Sequence, residues 1–391
     1  MQIFITIIKY ITLLVSVLSS VFPISRPENQ PYEAKPRNLG IPLKAHYDRG
    51  IPGRSAWDVE VYEDKLFVAS GDYDQNIGPV HIYYYDLNLD TWVESGSVSD
   101  EQIEHFHLID GKLMAPGADP KQDWNWGNIY IFDNDTWITK RSIAGGIHQL
   151  DMIQHDGRIF VALGVLPGQI PIAVSDDGCE TFREVPMYKD GEPFTTSLPD
   201  DPAITNAVNR CYDFFLCNDT LYAFHYRQIG SDYQLMLFRY EDGAFYYHSD
   251  LPQKLNYRRI SYEIFRAKVQ YENKAYISTG KLYVSSDMLN AEEIILEEDA
   301  IVSDLRVIDG LLYVMTVKQT ESGEYTTSVW VKKLFADNEF RKLYYFTYPC
   351  AAQSFTYHGD CFYFGMGDGR LSQSNSSNGS VLSVKHPLDK G

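Results

Sequence analysis

Seven times along this 391-residue chain an apolar run enters a tight turn of acidic, amide or glycine residues and leaves it as a second apolar run. The first copies are Val59–Val68 turning at Glu63-Asp64, His107–Met114 turning at Asp110-Gly111, and Ile153–Val161 turning at Asp156-Gly157. The fourth turns at Asn218-Asp219, and the last three at Glu272-Asn273-Lys274, Asp309-Gly310-Leu311 and Gly359-Asp360-Cys361. With reference positions 64, 111, 157, 219, 273, 310 and 360, the intervals are 47, 46, 62, 54, 37 and 50 residues, centred near the period of a β-propeller blade. The repeat fills the chain from residue 55 to about 385, which favours one closed ring over two or three ordinary domains. The expected fold is therefore all-β, a seven-bladed propeller of mainly four-stranded antiparallel blades. Composition agrees, because 29 Tyr and 20 Phe favour strands while 27 Gly and 18 Pro supply turns.

The amino terminus stands apart. Tyr10 to Ile24 is almost unbroken apolar sequence behind a single Lys9, which suits a signal-peptide core better than a full bilayer span. The expected organisation is a signal peptide over 1–24, a linker over 25–40 containing Pro27, Pro31 and Pro36, and the propeller over 41–391. An uncleaved amino-terminal anchor is the alternative. Either reading places the protein outside the cell or on its surface, or in the periplasm of a Gram-negative host. The net charge of −19 argues against nucleic acid or an anionic membrane as partner, since both would repel it. Five Cys make no disulfide framework: Cys211 and Cys217 sit on one expected strand, roughly 20 Å apart at ordinary strand rise, beyond disulfide reach. Sequons occur at Asn134, Asn218, Asn375 and Asn378. A monomer is expected.

Individual strands can be read in the first two blades: Trp57–Tyr62, Leu66–Ser70, Val80–Asp86 and Thr91–Gly96, then His105–Ile109, Leu113–Ala115, Asn128–Asp133 and Thr136–Arg141. Asp-Thr-Trp opens the fourth strand of both, at Trp92 and Trp137, where an indole serves packing between blades. The stretch Ser175-Asp176-Asp177-Gly178-Cys179-Glu180-Thr181-Phe182 resembles an Asp-box, with Cys179 and Phe182 departing from that pattern, and Tyr283-Val284-Ser285-Ser286-Asp287 resembles a more degraded copy. On these residues the chain is similar to the kelch and Asp-box (BNR, sialidase-like) propellers. That resemblance implies that each box is a structural turn between third and fourth strands, away from the ligand face. The segment Leu39–Tyr47 is expected to close the ring by pairing with the weak last blade, removing an exposed sheet edge.

Aligned on their turns, the inner strands place Asp58, His105, Asp151, Asp213, Ala267, Asp304 and Ser354 in one column, six residues before each reference position. Four carboxylates and an imidazole should then ring one mouth of the central channel. Capping of neighbouring backbone amides is the structural use such carboxylates compete with. The loop carrying Asp72, Asp74 and Asn76 offers oxygen ligands at alternating positions and suggests calcium, without the distant Glu and helices of an EF-hand. Trp124 and Trp126 sit on a polar loop beside Asp119 and Asp123, an arrangement suited to stacking on sugar faces. His105, His107, His148 and Asp151 contain zinc-ligand types but no compact motif.

The sialidase resemblance implies an arginine triad, a Tyr nucleophile with its Glu, and an acid. Arg54, Arg210, Arg259, Tyr262, Glu263 and Asp72 are the candidates, although the Phe/Tyr-Arg-Ile-Pro motif is absent. No nucleophile elbow or phosphate-binding glycine loop is present. The functional expectation is a binding propeller that takes a carbohydrate or other extracellular ligand at the channel mouth. The rival is a carbohydrate-active enzyme, a sialidase-like glycosidase or lyase, using Asp and His at that same mouth. No residue is assigned a catalytic role.

Overall fold

The computed structural model describes residues 31–47, 52–72, 75–165, 168–196, 207–229, 232–252, 255, 267–332, 339–367 and 376–386. The chain divides into Met1–Tyr32, of which only the last two residues are described, and Glu33–Gly391. The expected export signal thus lies outside the described residues. No described helix is long and apolar enough to cross a membrane.

The second unit is the seven-bladed propeller expected from the repeat. Blade one is Val59–Tyr62, Lys65–Val68, Val80–Asp86 and Thr91–Val98; blade two is His107–Ile109, Lys112–Pro116, Trp126–Asp133 and Thr136–Ala144. Blades three to six follow the same antiparallel order, with inner strands Gly146–His155, Ala207–Cys217, Lys268–Tyr271 and Ile301–Ile308. Every inner strand joins its neighbour by a two-residue turn, from Tyr62 opposite Lys65 through to His358 opposite Cys361. In blade one both central residues, Glu63 and Asp64, have positive φ (50° and 57°), the geometry that matches the right-handed twist of the flanking strands. This is why the turns are rich in Asp, Asn and Gly.

The apolar core lies between blades. Phe67 of blade one meets Phe132 and Trp137 of blade two at centroid separations of 4.8 and 5.8 Å, and the Trp137 indole donates to Ser95 Oγ at 3.1 Å. Phe160 of blade three packs on Phe214 and Phe245 of blade four, and Phe346 of blade six on Phe364 of blade seven. Each such pair adds roughly 0.5–1.5 kcal/mol beyond its burial. The Ser175 and Ser285 segments form turns after the third strands of blades three and five. In the first, Asp177 accepts from the Thr181 amide and hydroxyl at 2.9 and 2.6 Å; in the second, Asp287 accepts from the Leu289 and Asn290 amides at 2.9 Å each.

Blade seven closes the ring. Ala352–His358, Cys361–Met366 and Val381–Lys385 are completed by Arg37–Gly40, whose Arg37 pairs with Ser383. The closing strand therefore begins two residues before the expected Leu39–Tyr47 and ends at Gly40, within the stretch read as linker. Pro42, which has no amide hydrogen to donate to a ladder, instead opens a 3-10 turn over Pro42–Ala45. Upstream, the Ala34 amide donates to the Tyr345 carbonyl of blade six at 2.7 Å. Downstream, the Trp92 indole of blade one donates to the Leu39 carbonyl at 2.7 Å, and Arg37 reaches Asp90 at 2.5 Å. Residues 34–46 thus form a belt across the outer edges of three blades.

Gly40 is its tightest point, with φ of +121° and room for a Cβ only 3.0 Å from the Trp92 indole nitrogen. Gly40→Ala should destabilise the fold by about 1–3 kcal/mol, read as a lower urea midpoint with an unchanged m-value. An unaltered midpoint would show that the belt does not contribute to closure.

Candidate functional site

Four of the inner strands, those of blades three, four, six and seven, reach the axis through a local irregularity. Register shifts fall between Gln149 and Asp151, Cys211 and Asp213, Val302 and Asp304, and Ala352 and Ser354, immediately before the aligned column. A bulge bends the strand and re-aims the next side chain. At Asp151 and Asp304, and at Asp58 without a bulge, the carboxylate reaches sideways to the neighbouring blade. Asp58 accepts from the Phe106 amide at 3.0 Å, Asp151 from Phe214 at 2.8 Å, and Asp304 from Phe355 at 2.9 Å. Asp58 and Asp304 also cap the residue after them, accepting from Val59 and Leu305.

Two cations sit among these acids. Arg306 donates to Asp58 at 2.7 Å and Glu60 at 2.9 Å, and approaches Asp304 at 3.5 Å. Lys268 bridges Asp213 at 2.6 Å and Asp151 at 3.0 Å. Burial alone would lower the Arg306 pKa, but Asp304, Asp58 and Glu60 outweigh it and raise it. The same balance, struck with Asp151 and Asp213, raises that of Lys268. Burial raises the Glu60 carboxyl despite Arg306. Burial likewise lowers the His107 pKa, against the pull of Asp151 3.9 Å away. His105 lies 4.0 Å from Asp58.

These groups surround a cavity of about 560 Å³ lined by Asp58, His105, His107, Asp151, Lys268, Gln270, Asp304 and Arg306, with Met152, Phe214 and Tyr276 among its apolar members. Of the expected column, Asp58, His105, Asp151 and Asp304 line this one space, while Asp213 does not line it and is tied to it through Lys268. Five carboxylates against two fixed cations leave three formal negative charges there. Chemically, such a wall offers both acceptors and donors to hydroxyl or ammonium groups, while its carboxylates are already engaged by amides and cations.

The loop residues expected beside the column are not among the cavity's lining. Asp72 is buried, and its main chain pairs with Glu101 and Ile77. Asn76 Oδ1 accepts from Lys121 Nζ at 2.9 Å, so this oxygen faces an ammonium rather than a cation site shared with Asp72. Asp74 lies outside the described residues. Trp124, on a loop, and Trp126, at the start of the third strand of blade two, are 60% and 45% exposed, and Arg141 braces this stretch through Asp123 and the Trp126 carbonyl. Of the sialidase candidates, Arg54 is buried and donates to the Ser376 carbonyl, whereas Arg259, Tyr262 and Glu263 lie outside the described residues.

Beneath the indole loop, Ala118–Pro120 pairs with Asp100–Gln102 and with the start of the blade-three inner strand, and Asp119 meets His148 at 3.2 Å. Asp100 is fully buried there, accepting from Asn128 at 2.7 Å and from the Tyr130 hydroxyl. Burial pushes its pKa up to about 7, partly opposed by those two hydrogen bonds.

Lys268, Arg306 and Glu60 were missed at the sequence level. Glu60, His107, Arg306 and Thr356 all stand two residues beyond the column, so a period-two reading of the strands would have found them. Lys268 stands one residue beyond Ala267, where the other blades carry Val59, Phe106, Met152, Phe214, Leu305 and Phe355. Its signal was a charge at an apolar position.

No family model matches the chain, and no curated protein does. Among solved structures, a chain of the "Crystal Structure of Mitotic Checkpoint Complex" is 10% identical with a TM-score of 0.50, over 94% of this chain and 96% of that one. The β-propeller domain of the Trilobed protease from Pyrococcus furiosus is 12% identical with a TM-score of 0.46, over 85% and 92%. Likeness at this level of identity bears on the fold alone.

Lys268→Met should cost roughly 3–5 kcal/mol, because it leaves Asp151 and Asp213 close together without their cation. Adding Asp213→Asn should recover part of that loss in urea denaturation; a double variant no more stable than the single would refute the pairing. Asp100 provides a pH signature. Its folded pKa of about 7 lies above the ordinary 3.8, so its contribution is complete below about pH 4 and is lost as pH rises through 7. Urea midpoints of Asp100→Asn should therefore fall less between pH 5 and pH 8 than those of the unmodified protein, by the equivalent of about 1–3 kcal/mol.

Proposed function

We propose that this protein is an exported binding propeller whose axial cavity takes a hydroxyl-rich small ligand, a carbohydrate above all. One observation carries this reading. Asp58, Asp151 and Asp304 each accept from a backbone amide and pair with Arg306 or Lys268, which leaves a fixed, charge-patterned wall rather than a free acid and base. Binding sites of this kind use a few placed polar groups against an apolar surround to orient a ligand. Met152, Phe214 and Tyr276 supply the apolar part. The net negative charge adds preference for neutral or cationic sugars over acidic ones, which makes a sialic-acid substrate a poor fit.

The enzyme reading keeps one favouring observation: His105 beside Asp58 and His107 beside Asp151 are imidazole–carboxylate pairs of the kind used in proton transfer. A glycan array combined with a chromogenic glycoside panel separates the two. Binding without turnover is expected, weakened about tenfold, equivalent to ~1.4 kcal/mol, in Gln270→Ala or His105→Ala. Turnover that Asp151→Asn abolishes with the fold intact would sink the binding-only reading. Absence of any glycan signal that responds to these variants would remove carbohydrate as the ligand class.

A further inference from the structure

On the outer side of blade one, three side chains from three separate segments converge. His46 follows the 3-10 turn at the end of the belt, His81 lies on the third strand and Glu94 on the fourth. One donor atom from each lies within 4.8 Å of the other two. The His81 and His46 rings are stacked, with centroids 3.5 Å apart and planes inclined by 14°. His81 Nδ1 is 2.9 Å from Glu94 Oε1, and His46 Nε2 is 3.7 Å from the same oxygen. None of the three lines the axial cavity.

We propose that His46, His81 and Glu94 form a divalent transition-metal site, with zinc the fitting ion. Two imidazoles and one carboxylate are the donor set of three-ligand zinc centres, which keep a fourth position open. Four-coordinate zinc with bonds of 2.0–2.1 Å requires donors roughly 3.4 Å apart, and the separations of 2.9 and 3.7 Å fall on either side of that value. Because the two rings are stacked, one imidazole has to turn before both lone pairs meet a single ion, a movement that the partial exposure of both side chains permits. Calcium and magnesium prefer all-oxygen shells and fit poorly here. The Tyr83 hydroxyl, 2.8 Å from His46 Nε2 and 3.2 Å from Glu94 Oε2, is placed to hydrogen-bond a water in the fourth position. Partial exposure of all three side chains gives an ion a way in.

The consequence is mechanical. A metal held here cross-links the belt to blade one, just after the strand that completes blade seven, so zinc should stabilise ring closure by binding only the folded form. The experiment uses the untagged full chain, stripped with a chelator and titrated with zinc at micromolar concentration by calorimetry, with melting followed in parallel. One equivalent should bind and raise the melting temperature. His81→Ala and Glu94→Gln should lose both effects, whereas His358→Ala, an exposed histidine on blade seven, should keep them. Glu94→Gln preserves the shape of a half-exposed side chain, so its loss of binding would not reflect unfolding. Cobalt should give the intense visible absorption of a four-coordinate site. No zinc uptake by the unmodified protein, or equal uptake by the Glu94→Gln variant, would overturn the proposal.

Discussion

A carboxylate that crosses from one inner strand to the backbone amide of the next is the contact on which this ring rests. The sheets of a propeller touch through side chains and share no ladder hydrogen bonds near the axis, where an open channel denies them a packed centre. Asp58, Asp151 and Asp304 supply the missing bond, each linking its blade to the following one. Charge-assisted bonds of this kind contribute about 1.5–3 kcal/mol each. Such carboxylates could not crowd together unaided, and Arg306 and Lys268 offset their repulsion by bridging blades that the amide clasps do not join directly. Arg306 links blade six to blade one, while Lys268 links blade five to blades three and four. Architecture and candidate site are thus one set of atoms.

Much of this was legible from spacing alone. A two-residue turn at intervals near 50 residues fixes blade number, and period two fixes which side chains face the axis. The aligned column of Asp58, Asp151, Asp213 and Asp304 followed from that arithmetic. Its cations did not, because Arg306 and Lys268 occupy different offsets and come from blades whose own column residues are Asp304 and Ala267. Long loops were harder still. Asp72 and Asn76 carry oxygen donors at suggestive spacing, yet their directions are set by main-chain pairing with Glu101 and by Lys121, neither of which local sequence reveals. The closing strand stops at Gly40 rather than running to Tyr47, because Pro42 has no amide hydrogen to give to a ladder.

Polar chemistry on the loop side of the propeller follows a different logic from that on the axis. Asp100, Asn128 and Tyr130 form a buried knot that fastens the Asp100–Gln102 strand, an extension of the blade-three sheet, to the third strand of blade two. That knot gives the exposed indoles of Trp124 and Trp126 a stiff base, so they are presented rather than left on a loose tip. Two separate surfaces therefore carry recognition potential: a charged axial cavity and an aromatic ridge.

The belt has a consequence for how the molecule is made. Arg37 and Ser383, partners in one sheet, stand at opposite ends of the polypeptide. During synthesis the segment that completes blade seven is made before any of the inner strands and waits while they follow. Until then the last blade keeps an unpaired edge, and the nascent chain holds six sheets without a seam. Contacts of such sequence separation form slowly, because chain entropy must be surrendered before they reward it. The final step of folding is thus a long-range closure, and until it is made the ring is still open.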